Sequence, residues 1–149
     1  FSHLNNKNHN MISFSTVETD FNLKNKLKVK AWVKNILEGE GKLAGDITFV
    51  FCNDSYLGEM NEKYLKHHTL TDIITFDYSE KGHLSGDIFI SIERVKENAA
   101  SFKTTFGAEL GRVMAHGVLH LSGYKDKTTD DKKVMRIKED IYLTSYPNL

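Results

Sequence analysis

The longest apolar run in the chain, residues 47–52, spans only six positions and is rich in β-branched and aromatic side chains. A run of this kind is typical of a buried β-strand, and it is far too short to cross a membrane. Segments with similar strand character cover residues 12–17, 73–78 and 83–91. The sequence therefore predicts about four strands.

Apolar residues at three- and four-residue spacing predict helices between and after these strands. The expected helices cover residues 22–39, 54–65, 92–106, 108–121 and 130–143. We expect Asn22 to cap the first helix and Gly39 to end it in a left-handed conformation. In the last helix, Val134, Ile137 and Ile141 are expected to face the core. The order of the elements predicts a single α+β domain, with helices packed on one mixed sheet.

Composition limits the class of protein and its expected cellular location. A chain of 149 residues suits one domain, and 20 basic residues against 20 acidic residues leave no net charge. A global attraction for nucleic acid is therefore excluded, although a local patch is not. The single cysteine, Cys52, excludes an internal disulfide and a cysteine-based zinc cluster. With no signal peptide recognisable, the expected location is the cytoplasm, with no membrane partner. Residues 1–10 are polar and precede Met11, so we expect a loose arm or a cloning remnant before a domain at residues 11–149.

Residues 116–126 read HGVLHLSGYKD and carry the chemistry. Two histidines four residues apart on a helix lie one turn apart on the same side, a spacing that suits one metal ion. Alone the pattern is weak, because two partly buried histidines bonded to carbonyl groups would give the same spacing. Gly123 is expected to end the helix, so that the following turn brings Asp126 back toward His116 and His120.

Two imidazoles and one carboxylate give three ligands and an open position, which is typical of catalytic zinc sites. We therefore expect His116, His120 and Asp126 to bind zinc or another divalent transition metal, and His116 and His120 to act in catalysis through water bound to that metal. Zincin proteases carry a general-base glutamate one residue after the first histidine, where this chain has Gly117. The glycine is expected to serve close packing or substrate approach.

The block HGVLHLSGY resembles the signature of the YbeY family of bacterial metal-dependent endoribonucleases. Residues 71–76 are similar to the family's T-D-V-L-S-F segment, residues 86–88 resemble its G-D-I strand, and Asn61 with Tyr64 fits the helix before them. The resemblance implies an α+β fold like that of a small metalloprotease, with one zinc ion. It also implies cleavage of single-stranded RNA in ribosomal RNA processing, at the 3′ end of the small-subunit RNA, and in ribosome quality control. Ribosomal RNA, ribosomal proteins and an assembly GTPase are the partners that follow from it.

The chain departs from the family pattern at two informative places. The family usually has Asp-His after the Gly-Tyr pair, where this chain has Lys125 and Asp126. Because the spacing from His120 is unchanged, we favour Asp126 as a replacement for the third histidine ligand. The alternative is a one-residue shift that makes Asp126 the family's aspartate and leaves the metal short of a ligand. The family also commonly carries an arginine where this chain has Leu65, and Lys66 or His67 is expected to supply that phosphate contact.

Two carboxylates upstream have two interpretations each. Glu109 lies about two helical turns before His116, so it can either orient a metal ligand or act as a first-turn acid that favours the helix dipole. Asp72 can bond the backbone of its own turn, or face the cleft as a substrate contact together with Lys66 and His67.

Three other functions use the same residues. A zinc metallopeptidase is disfavoured by Gly117 and would need an edge strand, such as residues 83–91, to hold a peptide. A non-enzymatic ribosome-associated factor would use the metal only to lock the fold. An iron(II) oxygenase would use two histidines and a carboxylate, but no arginine for a cosubstrate lies near the motif.

Overall fold

The structure of the protein, a computed structural model, describes residues 11–65 and 71–149, without the side chain of Leu65. The described elements, in chain order, are β1 (Ile12–Val17), α1 (Lys26–Gly39), β2 (Leu43–Cys52), α2 (Asp54–Leu65), β3 (Ile73–Asp77), β4 (His83–Ser91), α3 (Ile92–Ser101), α4 (Phe106–Leu121) and α5 (Thr129–Leu143). The arm expected at residues 1–10, together with Lys66 and His67, lies outside the described residues.

The described strands form one sheet of four, in the order β1-β2-β4-β3. Strands β1, β2 and β4 are mutually parallel, and β3 is antiparallel to β4 at the edge of the sheet. This confirms the predicted α+β fold with a mixed four-stranded sheet. A peptidase would need an edge strand beside its site. The edges of the described sheet are β1 and β3, and of these β3 contacts the helix that carries the two histidines. Strand β4, which the sequence suggested for that role, is central because it pairs with both β2 and β3.

The two faces of the sheet are filled differently. Alternation along β2 places Ile47, Phe49 and Phe51 on the face that packs with α1 and α4, where they join the main core cluster. On the opposite face, Cys52 and Ile74 from the strands form a smaller cluster with Leu57 from α2. The larger core thus lies beneath α4, the helix that carries the two histidines, and gives that helix a rigid base.

Helix α1 differs from expectation at both ends. It begins at Lys26, and its cap residue is Asn25, in a left-handed conformation with φ 56°, rather than Asn22. Gly39 is the last helical residue, and the positive φ of 69° falls at Gly41. Gly39 is needed for space instead, because a Cβ atom there would collide with the hydroxyl group of Tyr142.

Helices α3 and α5 also depart from the predicted pattern. Helix α3 stops at Ser101, and a separate cap, the Thr105 side chain, accepts a hydrogen bond from the Ala108 amide at the start of α4. The predicted apolar stripe of α5 was wrong. Its members are exposed, at 45% for Val134, 59% for Ile137 and 55% for Ile141. The buried residues of α5 are Met135 and Glu139, because that face meets α4 and a charged partner.

No helix within the described ranges, 11–65 and 71–149, has the length and apolar character needed to cross a membrane.

Candidate metal centre

Helix α4 lies flat on the sheet because it carries glycine at the contact. A Cβ atom on Gly117 would lie 2.9 Å from Cγ2 of Ile88 and 3.1 Å from Cδ1 of Ile73. Distances below about 3.0 Å force a neighbour to move, so a side chain at position 117 would push the helix off the sheet. Close packing therefore explains the glycine, and it fixes the height of the adjacent His116 above the strands.

One side of α4 carries a polar stripe at three- and four-residue spacing. Its members are Glu109, Arg112, His116 and His120. All four line a cavity of about 840 Å³, here called the histidine cavity, which is also lined by residues 71–75, residues 125–127 and Glu139. The predicted site residues Asp72, Glu109, His116, His120 and Asp126 therefore share one cavity.

His116 is held by a carboxylate from α5. Its Nδ1 atom lies 2.8 Å from Oε2 of Glu139, whose side chain is only 7% exposed. The other oxygen of Glu139 accepts a hydrogen bond from Nη1 of Arg112 at 3.1 Å, and Arg112 also donates to Asp140 at 2.7 Å. Burial disfavours the charged imidazole, but the hydrogen bond and the negative charge of Glu139 outweigh it and raise the pKa of His116 above its ordinary value.

The turn after α4 brings Asp126 to the same histidine. Gly123 has a φ of 111°, and its amide donates to the carbonyl of His120 at 3.1 Å. The chain reverses there, as glycine at a helix C-terminus allows. Oδ2 of Asp126 then lies 3.8 Å from Nε2 of His116. The two ring nitrogens of His116 thus have separate neighbours, Glu139 at one and Asp126 at the other.

Two further carboxylates form the inner wall of the histidine cavity. The Asp72 carboxylate accepts a hydrogen bond from Asn98 at 3.4 Å, and burial raises the pKa of Asp72. Glu109 is 5% exposed, and burial together with the charge of Asp72 raises its pKa. Glu109 stands in the first turn of α4 and also lines the cavity. The carboxylate that is hydrogen-bonded to the ring of His116 is that of Glu139 rather than that of Glu109.

The side chains of His116, His120 and Asp126 are of the types that bind zinc, but they lie farther apart than the ligands of a bound zinc ion. Within the described part of the chain, no three His, Cys, Asp or Glu side chains are grouped closely enough to hold a metal ion. His116 nevertheless has the arrangement usual in metal-binding histidines, with one ring nitrogen on a carboxylate and the other presented to the cavity. Its 3.8 Å separation from Asp126 is slightly wider than the roughly 3.4 Å between two ligands of a tetrahedral zinc ion. Asp126 and His120 are exposed, so the core does not pack around their side chains.

Sequence reasoning missed two members of this site. Arg112 was detectable, because it lies four residues before His116 on a helix that is otherwise mostly apolar. The expectation that no arginine lies near the motif was therefore wrong, although Arg112 is bound to Glu139 and Asp140. Glu139 was not, because it is 23 residues from His116 and no periodicity connects two separate helices.

A mixed sheet whose edge strand β3 borders a cavity of histidines and carboxylates is a fold and site that can accommodate hydrolytic chemistry. The comparisons with known proteins then make the class specific. The family model described as "Endoribonuclease YbeY" matches residues 7–147. The chain belongs to the YbeY family, which confirms the resemblance seen in the sequence.

Two relatives and one solved structure support this assignment. An endoribonuclease YbeY of Flavobacterium psychrophilum is 52% identical over 130 residues, which cover 87% of this chain and 92% of the relative. One from Cytophaga hutchinsonii is 48% identical over 134 residues, covering 89% of this chain and 94% of the relative. The solution structure of TM1509 from Thermotoga maritima matches with a TM-score of 0.62 and 26% identity, covering 91% of this chain and 89% of that one.

Proposed function

We propose that the protein is a metal-dependent endoribonuclease that cuts single-stranded RNA during ribosomal RNA processing. Membership of a family described as endoribonucleases makes the chain a nuclease, and so a hydrolase of phosphodiester bonds. The observation that best supports metal chemistry is His116, held by the buried Glu139 and turned toward Asp126. Maturation of the 3′ end of small-subunit RNA, a part in ribosome quality control, the choice of zinc and a cytoplasmic location belong to the same proposal.

His116, His120 and Asp126 are the residues proposed to hold the metal. When bound there, a divalent ion would supply positive charge to a phosphate oxygen and would acidify water. Glu139 keeps the proton of His116 on Nδ1, so that Nε2 retains its lone pair for a ligand bond. Arg112 compensates the buried charge of Glu139 and holds that carboxylate in place.

The charges around the histidine cavity indicate where an RNA phosphate would bind. Lys125 and Lys127 line the cavity, are exposed, and stand on either side of Asp126. Asp72 and Glu109 occupy the inner wall, where their negative charge would repel a phosphate if ionised. The RNA backbone is therefore proposed to enter on the lysine side. Lys66 and His67 remain proposed phosphate contacts, and Asp72 remains a proposed substrate contact that does not bind phosphate.

The structure disfavours the metallopeptidase alternative. Position 117, which holds the catalytic glutamate in zincin proteases, is packed against Ile88 with no room for a side chain. A peptidase built on this helix would lack its usual base. The non-enzymatic factor becomes an outcome of the test below.

The test is cleavage of an end-labelled precursor of small-subunit ribosomal RNA by zinc-loaded protein. His116→Ala and Asp126→Ala are expected to lose cleavage. His83→Ala, which removes an exposed histidine that does not line the cavity, should cleave like the wild type. Discrete products from the wild type and His83→Ala alone would support the proposal. Equal products in all lanes would indicate a contaminating nuclease, and none from the wild type would overturn intrinsic cleavage in favour of a non-enzymatic factor. An RNA of the same sequence annealed to its complement tests the preference for single strands.

A further inference from the structure

Glu40 is a buried carboxylate at the end of α1, outside the histidine cavity. Its side chain is 6% exposed. Oε1 accepts a hydrogen bond from the Tyr124 hydroxyl at 2.5 Å, while Oε2 accepts from Nζ of Lys138 at 3.2 Å and from the hydroxyl of Tyr142. Burying a carboxylate is costly unless it is paired and hydrogen-bonded. Both oxygens meet that condition, with donors from two other parts of the fold.

The residues around Glu40 hold its side chain in place and favour its ionised form. Gly39, the preceding residue, leaves the space that the Tyr142 hydroxyl occupies. Nζ of Lys138 also lies 5.7 Å from the centre of the Tyr124 ring, which adds a cation–π contact. Burial raises the pKa of Glu40, but the hydrogen bonds from Tyr124, Tyr142 and Lys138 outweigh it and hold the pKa below its ordinary value. Glu40 is therefore an ionised carboxylate bound by Tyr124, Lys138 and Tyr142, and it is called the anchor below.

Two residues bound by this anchor adjoin the candidate metal centre. Tyr124 precedes Asp126 by two positions, in the turn that follows Gly123. Lys138 immediately precedes Glu139, the residue that holds His116. One carboxylate thus ties down both the chain that carries Asp126 and the helix that orients His116.

We propose that Glu40 is a positioning residue for the candidate metal centre, acting through Tyr124 to fix the position of Asp126 against His116. The inference rests on the proposed metal-dependent function. A residue that served only the fold would change the free energy of unfolding. A positioning residue must also change metal affinity, and that change must depend on the presence of Asp126.

A double-mutant cycle between Tyr124→Phe and Asp126→Ala separates these roles, because it measures how far one side chain acts through the other. The measured quantity is the dissociation constant for Zn²⁺, obtained by competition with a chelating dye on the full chain. Tyr124→Phe removes only the hydroxyl and is expected to weaken binding by about 10- to 100-fold, the range seen when the supports of metal ligands are removed. In the Asp126→Ala background the same change should have almost no further effect. The visible spectrum of bound Co²⁺ should change shape in Tyr124→Phe, since the carboxylate ligand is then less fixed.

Two further variants keep the test decisive. Glu40→Gln should weaken binding like Tyr124→Phe, and it provides the result if that variant folds poorly. Tyr142→Phe removes a donor from the same carboxylate but leaves the Tyr124 hydrogen bond, so it should lower the unfolding midpoint while changing the dissociation constant much less. The inference is overturned if Tyr124→Phe and Glu40→Gln bind Zn²⁺ like the wild type while Asp126→Ala binds weakly. It is also overturned if Tyr124→Phe has the same effect with and without Asp126. If instead His116→Ala and Asp126→Ala both bind as tightly as the wild type, the proposed metal centre itself is wrong.

Discussion

Glu139 and His116 are joined by a 2.8 Å contact between Oε2 and Nδ1, although they are 23 residues apart in the sequence. The contact links α5 to α4 inside the protein, beside the histidine cavity. Because Arg112 binds the other carboxylate oxygen, Glu139 cannot turn away without breaking a second charged hydrogen bond. The direction of the His116 ring is thus determined by another helix rather than by its own.

Replacing Glu139 should weaken the metal centre without unfolding the protein. Glu139→Gln keeps the size of the side chain but loses the charge that favours a metal-binding imidazole. We expect Zn²⁺ to bind roughly 10- to 100-fold more weakly, with a parallel loss of RNA cleavage. Asp140→Asn is the matched control, because Asp140 binds Arg112 and makes no hydrogen bond to His116 in the described structure. Equal Zn²⁺ affinity for Glu139→Gln and the wild type would contradict the assigned role.

Adding one methyl group at Gly117 should destabilise the protein. The new Cβ atom would lie 2.9 Å from Cγ2 of Ile88, which is fully buried. Overpacking costs about 1–3 kcal/mol, and the better helix propensity of alanine offsets about 1 kcal/mol of it. Gly58→Ala is the control, since a Cβ atom added to that helical glycine would have nothing within 4 Å, and the variant should gain up to about 1 kcal/mol. Urea unfolding of both variants measures the difference, and a stabilised Gly117→Ala would show that the packing is loose.

Removing the two lysines beside Asp126 should make RNA binding weaker and less sensitive to salt. If Lys125 and Lys127 each neutralise one phosphate, the double alanine variant should reduce the slope of log affinity against log salt by about 1.4, since each contact to single-stranded nucleic acid contributes about 0.7. Fluorescence anisotropy with a labelled single-stranded RNA measures the slope. A double alanine variant at Lys28 and Lys34, which are exposed on α1, serves as the control for total charge. If both double variants reduced this slope by the same amount, the proposed local phosphate site at Lys125 and Lys127 would be wrong.

The charge on Glu40 should make the protein lose stability in acid. Because its pKa is lowered from 4.5 in the folded state, the ionised carboxylate stabilises the fold at pH values above 4.5. That contribution disappears as the pH falls through the lowered pKa of the folded protein. Glu40→Gln should therefore be less stable than the wild type at neutral pH, and the gap should narrow in acid. Urea unfolding at a series of pH values measures the gap, and a gap that stayed constant would show that Glu40 is not charged in the folded protein.

Cys52 should be inert toward thiol reagents in the native protein. The side chain is fully buried beneath α2, and burial, with the charge of Asp54, raises its pKa to about 12. Only the thiolate reacts, so at neutral pH labelling requires opening of the fold. Labelling with a disulfide dye should be slow in buffer and fast in urea. Rapid labelling of the native protein would show that this face of the sheet opens easily.

Local signals in the sequence were sufficient to predict the strands of the sheet and the positions of some residues of the candidate site. The strand character of residues 12–17 and 83–91, the histidine spacing and the turn at Gly123 depend on neighbours within a few residues, and these features lie where the sequence predicted them. The zinc ligands themselves stay a prediction. Glu139 could not be predicted, because its partner is on another helix and distance in space has no periodic signature.

The failure at α5 has the same origin. Val134, Ile137 and Ile141 repeat at helical spacing, so a pattern based on apolar residues alone selects their face. The protein instead buries the face with Met135 and Glu139, because the charged contacts to Arg112 and His116 are made there. The start of α1 was also mispredicted. The cap residue is Asn25 instead of Asn22, and asparagine tolerates the left-handed conformation found there.

The position of Glu139 on α5 also has a consequence for synthesis of the protein. A ribosome makes the histidines of α4 before it makes α5, so an emerging chain that ends before Thr129 contains both imidazoles but not the carboxylate that directs His116. Such a chain also lacks Lys138 and Tyr142, which hold Glu40. An unfinished copy therefore has its histidines without their supports. Under the proposed function, the capacity to cut RNA would arise only after the helix that follows the histidines has been translated and has docked.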